Sequence, residues 1–275
     1  MGDGIAFVKG HGTENDFVLL PDATGSLQID ERLVRAICDR RAGIGGDGVI
    51  RIAPGGDGRW FMDYRNADGS VAEMCGNGAR VFARFLVTAG WAEPGRMDFL
   101  TRGGVRTAEL GADGDVRVGM GPVHLGAASA ASVVGTTFPG RRVDVGNPHL
   151  VCVLDGPDAQ ARLAGLDLHV APAVDAAEYP QGANVEFIVR ELVDSGRAVT
   201  MRVHERGVGE TRSCGTGTVA AAVTVLDGAD GTVTVRVPGG RVTVEVSAGE
   251  AWLTGPAVLV ASGVLDEDFT AAITG

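Results

Sequence analysis

Met62-Asp-Tyr-Arg-Asn-Ala-Asp-Gly-Ser-Val-Ala-Glu-Met-Cys75-Gly-Asn-Gly78 aligns without a gap to Met201-Arg-Val-His-Glu-Arg-Gly-Val-Gly-Glu-Thr-Arg-Ser-Cys214-Gly-Thr-Gly217. Methionines and cysteines are both offset by 139 positions (201 − 62 and 214 − 75). Each copy reads as a strand, a polar loop, Cys-Gly-x-Gly and a helix, so the chain is expected to hold two similar lobes. The first helix of this pair is predicted over about Asn77–Ala89 and the second over about Thr216–Leu226. The second carries no charged residue and is rich in threonine and valine, which are poor helix formers. A helix without a polar face is buried all round, so strands are expected to wrap it.

The Cys-Gly-x-Gly element has a chemistry of its own. Glycines let the backbone turn tightly and aim successive N–H groups at one spot, which the helix dipole makes an anion site. The same field is expected to lower the pKa of a cysteine placed there and make it a usable base. Two such lobes facing each other would put one sulfur on either side of a bound α-carbon. That is the requirement of two-base inversion, in which a thiolate removes the α-proton from one face and a thiol protonates the other. Taken alone, a cysteine is more often a small hydrophobe. Cys38, four residues after Val34 on the apolar face of a helix that starts after Asp30, and Cys152, inside Leu-Val-Cys-Val-Leu, read that way.

Outward from these motifs the rest of the chain is ordinary. Hydrophobic residues make up 45% and charged residues 21% of the 275, and no apolar run approaches a membrane span. A cytoplasmic address is expected in the absence of a signal-peptide pattern. The net charge of −11 argues against nucleic-acid and anionic-membrane partners. The four cysteines form no C-x-x-C pair, so neither a disulfide scaffold nor a metal site is expected. Lys9 is the only lysine, which leaves a single candidate for a pyridoxal Schiff base and favours a cofactor-free reaction. Strands are predicted at Ile5–Val8, Phe17–Leu20, Trp60–Tyr64, Leu150–Leu154, Val185–Val189, Val199–Val203, Thr232–Val237, Val242–Val246 and Ala257–Val260. The lobes are expected to part near Gly119–Pro122: residues 1–120, completed by a final strand at about 260–275, and residues 121–259. The small, apolar stretch 124–140 has no assignment.

Six motifs in order resemble those of the diaminopimelate epimerase family: His11-Gly-Thr-Glu-Asn15-Asp-Phe, Arg65-Asn66-Ala-Asp-Gly-Ser, Met74-Cys75-Gly76-Asn77-Gly-Ala-Arg, Gly146-Asn147-Pro-His149, Asn184-Val-Glu-Phe, and Glu205-Arg206-Gly-x-Gly-Glu-Thr-x-x-Cys214-Gly215-Thr216-Gly. The resemblance implies an α+β fold of two similar lobes, each a curled, mostly antiparallel sheet around a central helix. It implies an isomerase that interconverts LL- and meso-diaminopimelate without cofactor, in the lysine and peptidoglycan precursor pathway, and that forms a homodimer. Cys75 and Cys214 would be the acid–base pair. Gly76, Asn77, Gly215 and Thr216 would cradle the carboxylate at the reacting centre, and Asn15, Asn66, Asn147, Asn184, Glu205 and Arg206 would hold the rest of the substrate. His149 and Glu205 resemble positions that set the protonation of the two thiols. A second amino acid head suits Arg206 for its carboxylate and Glu205 for its ammonium.

Two positions depart from the family pattern. Gly48 stands where many members have a substrate-contacting glutamine, and Ala261 where some have a tyrosine that supports the dimer. Proline and hydroxyproline racemases resemble the same scaffold, but they carry a histidine where this chain has Asn77 and need no distal charges. A racemase of another amino acid, such as histidine, and a non-catalytic protein using Cys75 and Cys214 as a redox switch are the other readings.

Overall fold

Residues 215–225, Gly-Thr-Gly-Thr-Val-Ala-Ala-Ala-Val-Thr-Val, form a helix in which only Thr216 and Val225 are not fully buried. Its hydroxyls bond back to the helix: Thr218 Oγ1 donates to the Gly215 carbonyl at 2.7 Å and Thr224 Oγ1 to that of Ala220 at 3.0 Å. With no polar surface left to solvate, the helix takes strands on all sides. The structure is a computed structural model that describes residues 4–191 and 197–274.

Two compact units divide the chain: residues 4–118 with 256–274, and residues 119–255. The first contains β1 (Ala6–Gly12), β2 (Asn15–Pro21), α1 (Glu31–Cys38), β3 (Gly48–Pro54), β4 (Trp60–Asn66), α2 (Gly76–Thr88), β5 (Arg96–Thr101) and β6 (Gly104–Leu110). The chain leaves it within β7 (Val116–Pro122). The second contains β8 (His124–Val133), β9 (Thr136–Asp144), β10 (Pro148–Val153), α3 (Ala159–Ala164), β11 (Ala173–Val174), β12 (Asn184–Glu191), β13 (Arg197–Glu205), β14 (Gly209–Thr211), α4 (Gly215–Val225), β15 (Gly231–Val237), β16 (Gly240–Ser247) and β17 (Glu250–Gly255). β18 (Val258–Val264) and α5 (Glu267–Thr274) belong to the first unit, where β18 pairs with β1. This is the two-lobed α+β fold, mostly strands with few helices, in which each lobe curls its sheet around one helix.

The same topology is built twice. In the first lobe β2 pairs parallel with β3, β3 antiparallel with β4, and β4 parallel with β5. In the second, β10 with β12, β12 with β13, and β13 with β15 repeat that series of directions. Parallel neighbours need a crossover, and helices supply each one: α1 and α2 in the first lobe, α3 and α4 in the second. Other paired consecutive strands form antiparallel hairpins, while β1 with β18 and β8 with β11 are antiparallel pairs of strands distant in the chain. The repeat extends to the loops, since Arg65 bridges Val71 and His204 pairs with Glu210, each partner offset by 139 (204 − 65 and 210 − 71). Met62 and Met201 both lie in the cores, at 1% and 0% exposure.

Two expectations change. The residues after the closing strand form α5, whose Asp266 accepts from the Asp268 N–H at 2.9 Å and whose Phe269 and Ile273 join the core beneath α1. The stretch 124–140 forms most of the β8–β9 hairpin.

Candidate active site

Cys75 and Cys214 are the N-caps of α2 and α4. Both have extended backbones (φ −132°, ψ 119° and φ −122°, ψ 117°). Cys75 Sγ accepts from Gly78 N–H at 3.5 Å, and Cys214 Sγ from Gly217 N–H at 3.4 Å. Sulfur thus fills the role that serine or aspartate usually plays at a helix start. Each thiol lies beside first-turn amides directed out of the helix end, where a carboxylate is well received.

In the first lobe Asn15 organises the surroundings of Cys75. Its Oδ1 accepts from the Cys75 thiol at 3.6 Å and from Asn77 Nδ2 at 3.1 Å. Its Nδ2 donates to Asp47 Oδ2 at 2.7 Å, which fixes the direction of the amide. Asp47 also accepts from Asp16 N–H at 3.2 Å and from Arg40 Nη2 at 2.7 Å, while Lys9 and Arg40 both grip Asp16. Burial pushes the Asp16 carboxyl up, but the bonds from Arg40 and Lys9 outweigh it and hold it well below the usual carboxylate range. Asp47 is pushed up by burial and by the neighbouring Asp16 charge. Asn66, at the end of β4, accepts from the Tyr64 hydroxyl at 2.9 Å and donates to Ser70 Oγ at 3.0 Å. A side chain at Gly48 would start 2.7 Å from Tyr64 Cε2 and 2.5 Å from the Arg65 carbonyl. Tyr64 therefore occupies the space a glutamine at that position would need.

In the second lobe acidic groups gather around Cys214, which is 6% exposed. Glu205 is hydrogen-bonded to Thr211 Oγ1 and faces the thiol. Burial raises the Glu205 pKa against the hydrogen bonds from Thr211 and Cys214. The Cys214 thiol is pushed well above its ordinary range by burial first, then by the charges of Glu205 and Glu186. This corrects the expectation that the helix end would lower it: the amide of Gly217 and the Thr216 hydroxyl at 3.5 Å do not offset desolvation and two carboxylates. His149 Nδ1 lies 2.7 Å from Glu186 Oε1, and its Nε2 lies 2.9 Å from Asn147 Oδ1 and 3.5 Å from Asn184 Nδ2. Asn184 Oδ1 accepts from the Arg206 N–H at 2.9 Å, and Arg206 Nη1 donates to the Gln181 carbonyl at 3.5 Å.

The structure therefore gathers Asn15, Cys75, Gly76 and Asn77 in one lobe, with Asn66 held in the neighbouring turn. In the other it gathers Asn147, His149, Asn184, Glu205, Arg206, Cys214, Gly215 and Thr216. Sequence reasoning gave no role to Asp47, which aims Asn15, or to Glu186. Cys38 and Cys152 are core residues, and burial pushes both thiols up to about 12.

Comparison with known proteins places the chain in a family. The family model described as diaminopimelate epimerase matches residues 7–126 and 141–260. A diaminopimelate epimerase of Rhodococcus jostii is 54% identical over 95% of this chain and 97% of its own length, and one of Thermobifida fusca is 51% identical over 94% and 97%. Among solved structures, a Bacillus anthracis phenazine biosynthesis protein superposes with a TM-score of 0.76 at 18% identity, over 96% of this chain and all of that one. A probable proline racemase of Agrobacterium radiobacter gives 0.68 at 15%, over 96% of this chain and 93% of that one; both show a shared fold. With a family model on both lobes and half the residues shared with relatives over nearly the whole of both chains, the chain belongs to the diaminopimelate epimerase family.

Proposed function

We propose that the protein interconverts LL- and meso-diaminopimelate by two-base proton transfer, one thiolate removing the α-proton and the other thiol delivering a proton to the opposite face. The observation that carries this reading is the pair of cysteine N-caps at matching places in the two repeats, each beside amides that suit a carboxylate. The carbanion's charge spreads into that carboxylate, where Gly76, Asn77, Gly215 and Thr216 stabilise it. Asn15, Asn66, Asn147, Asn184, Glu205 and Arg206 hold the remainder of the substrate. Arg206, the cation beside Asn184, suits the distal carboxylate, while the burial of Glu205 against Cys214 supports a part in setting that thiol's protonation.

No organic cofactor or metal enters this scheme. Lys9 Nζ, the one candidate for a Schiff base, is engaged by Asp16 and the Gly45 carbonyl. A cytoplasmic homodimer completes the proposal. Val258, Val260 and Val264 of β18 are exposed at 41%, 59% and 64%, an apolar strand surface suited to a second copy. Among the described residues no helix is long and apolar enough to cross a membrane.

Incubation with LL-diaminopimelate in deuterated water tests the reading. The expected result is α-deuterium incorporation with formation of the meso isomer, in chelator and without pyridoxal phosphate. Binding without exchange, or faster exchange on proline, contradicts it.

A further inference from the structure

The two lobes repeat each other in strand register beneath their central helices, and there the repeat breaks at a polar pair. Ile50 stands opposite Tyr64 in the β3–β4 ladder, and Glu186 opposite Val203 in the β12–β13 ladder, Tyr64 and Val203 being 139 apart (203 − 64). In the parallel pairings Leu19 opposes Ile50 as Val151 opposes Glu186, and Phe17 opposes Gly48 as His149 opposes Asn184. Glu186 is thus the counterpart of Ile50, and His149 of Phe17.

What lies against the two helix starts follows from this. A Cβ built on Gly78 would meet Ile50 Cδ1 at 3.0 Å and Phe17 Cζ at 3.4 Å. One built on Gly217 would meet Glu186 Oε1 at 2.7 Å. An apolar pair beneath α2 is replaced beneath α4 by a histidine and a glutamate, both with fully buried side chains. Glu186 Oε1 is taken by His149, and Oε2 is buried with no hydrogen-bond partner. Burying such a group is costly, and the first lobe folds the same architecture without it, so the fold does not require it. An orphaned buried carboxylate oxygen of this kind calls for a functional explanation.

We propose that Glu186, clamped by His149, is a positioning residue for the thiol chemistry: its carboxylate at the start of α4 holds Cys214 in the proton-bearing form. The groups facing Cys214 make the balance explicit. Glu186 from β12 and Glu205 from β13 oppose a thiolate, and His149 from β10 reaches it through Glu186. Thr216 and the Gly217 N–H on its own helix favour the thiolate, while burial opposes it. Two-base inversion needs one thiolate and one thiol at the same moment. Glu186 supplies the asymmetry that two equivalent cysteine caps lack. The catalytic consequence rests on the two-thiol reading above, but the test is read without substrate.

The experiment is the pH dependence of iodoacetamide alkylation, followed peptide by peptide so that Cys75 and Cys214 report separately. In the wild type Cys214 should alkylate only above the ordinary thiol midpoint of about 8.5. Glu186→Gln should lower its midpoint by roughly one pH unit or more and leave that of Cys75 in place. The double variant His149→Phe/Glu186→Ile copies the apolar pair that packs in the first lobe, and it should move Cys214 in the same direction even if Glu186→Gln fails to fold. A wild-type midpoint at or below the ordinary value, or a folded variant with an unmoved Cys214, overturns the proposal. Absence of diaminopimelate turnover with these shifts intact would instead count against the substrate assignment.

Discussion

Asp47 shows how one residue can act through another. Its 2.7 Å bond to Asn15 Nδ2 decides that the amide turns its oxygen toward the Cys75 thiol and Asn77. Asp47→Ala should therefore lower kcat/KM in the wild-type background but cost little further in an Asn15→Ala background. Equal losses in both backgrounds would mean that Asp47 only supports the fold. Arg206→Ala belongs to the same scale. Arg206 is exposed in the free protein, and bound substrate would cover it. Losing one partner of the resulting desolvated charge pair costs on the order of 2–5 kcal/mol, so diaminopimelate turnover should drop by tens of fold or more. The paired cysteines were legible because flanking glycines marked them. Glu186 was not, although the sequence displays it. In Val-Glu-Phe-Ile-Val an acidic residue looks like the outward member of an alternating strand, but β12 is buried on both faces over residues 184–189. The signal that finds it is strand register, which aligns it with Ile50.

At the scale of elements, hydrophobic pattern and glycine punctuation located β1, β2, β4, β10, β12, β13, β15, β16 and β18 and the three principal helices, but not β3, β5–β7, β11, β14 or β17. The starts of α2 and α4 moved by one residue, to Gly76 and Gly215. The β8–β9 hairpin escaped because Gly-Ala-Ala-Ser-Ala-Ala-Ser alternates in no property that marks a strand. It is held by its ladder and by Phe138 in the core. Helix α5 escaped for a different reason: Asp266 followed by Glu267 and Asp268 is a helix-start signal, and a strand was expected over it. The hairpin carries a testable strain. Val134, a β-branched residue, sits at φ +46° and is 77% exposed, with Gly135 at φ +80° after it. Val134→Asn would give the Asn-Gly pair that such a turn favours and should stabilise by about 1 kcal/mol. A melting temperature unchanged or lowered in the variant would contradict this.

Across the whole molecule, pH should act through the groups already named. The folded-state pKa of Asp16 is depressed, so the stability it contributes is present above its unfolded value of about 3.8 and is lost as pH falls toward its folded value. Melting temperature against pH should fall less steeply below 4 in Asp16→Asn than in the wild type. The pKa of Cys214 is raised, so its competence as a proton donor persists through neutral pH and is lost as pH rises through that raised value. The alkaline limb of kcat/KM should therefore lie above the ordinary thiol value of about 8.5. The central claim is that both thiols move protons, and epimerisation by Cys75→Ala and Cys214→Ala measures it most directly. Each variant should keep its fold and lose inversion, because each removes the acid or base from one face. Near-wild-type formation of meso-diaminopimelate from the LL isomer by either variant would contradict the account.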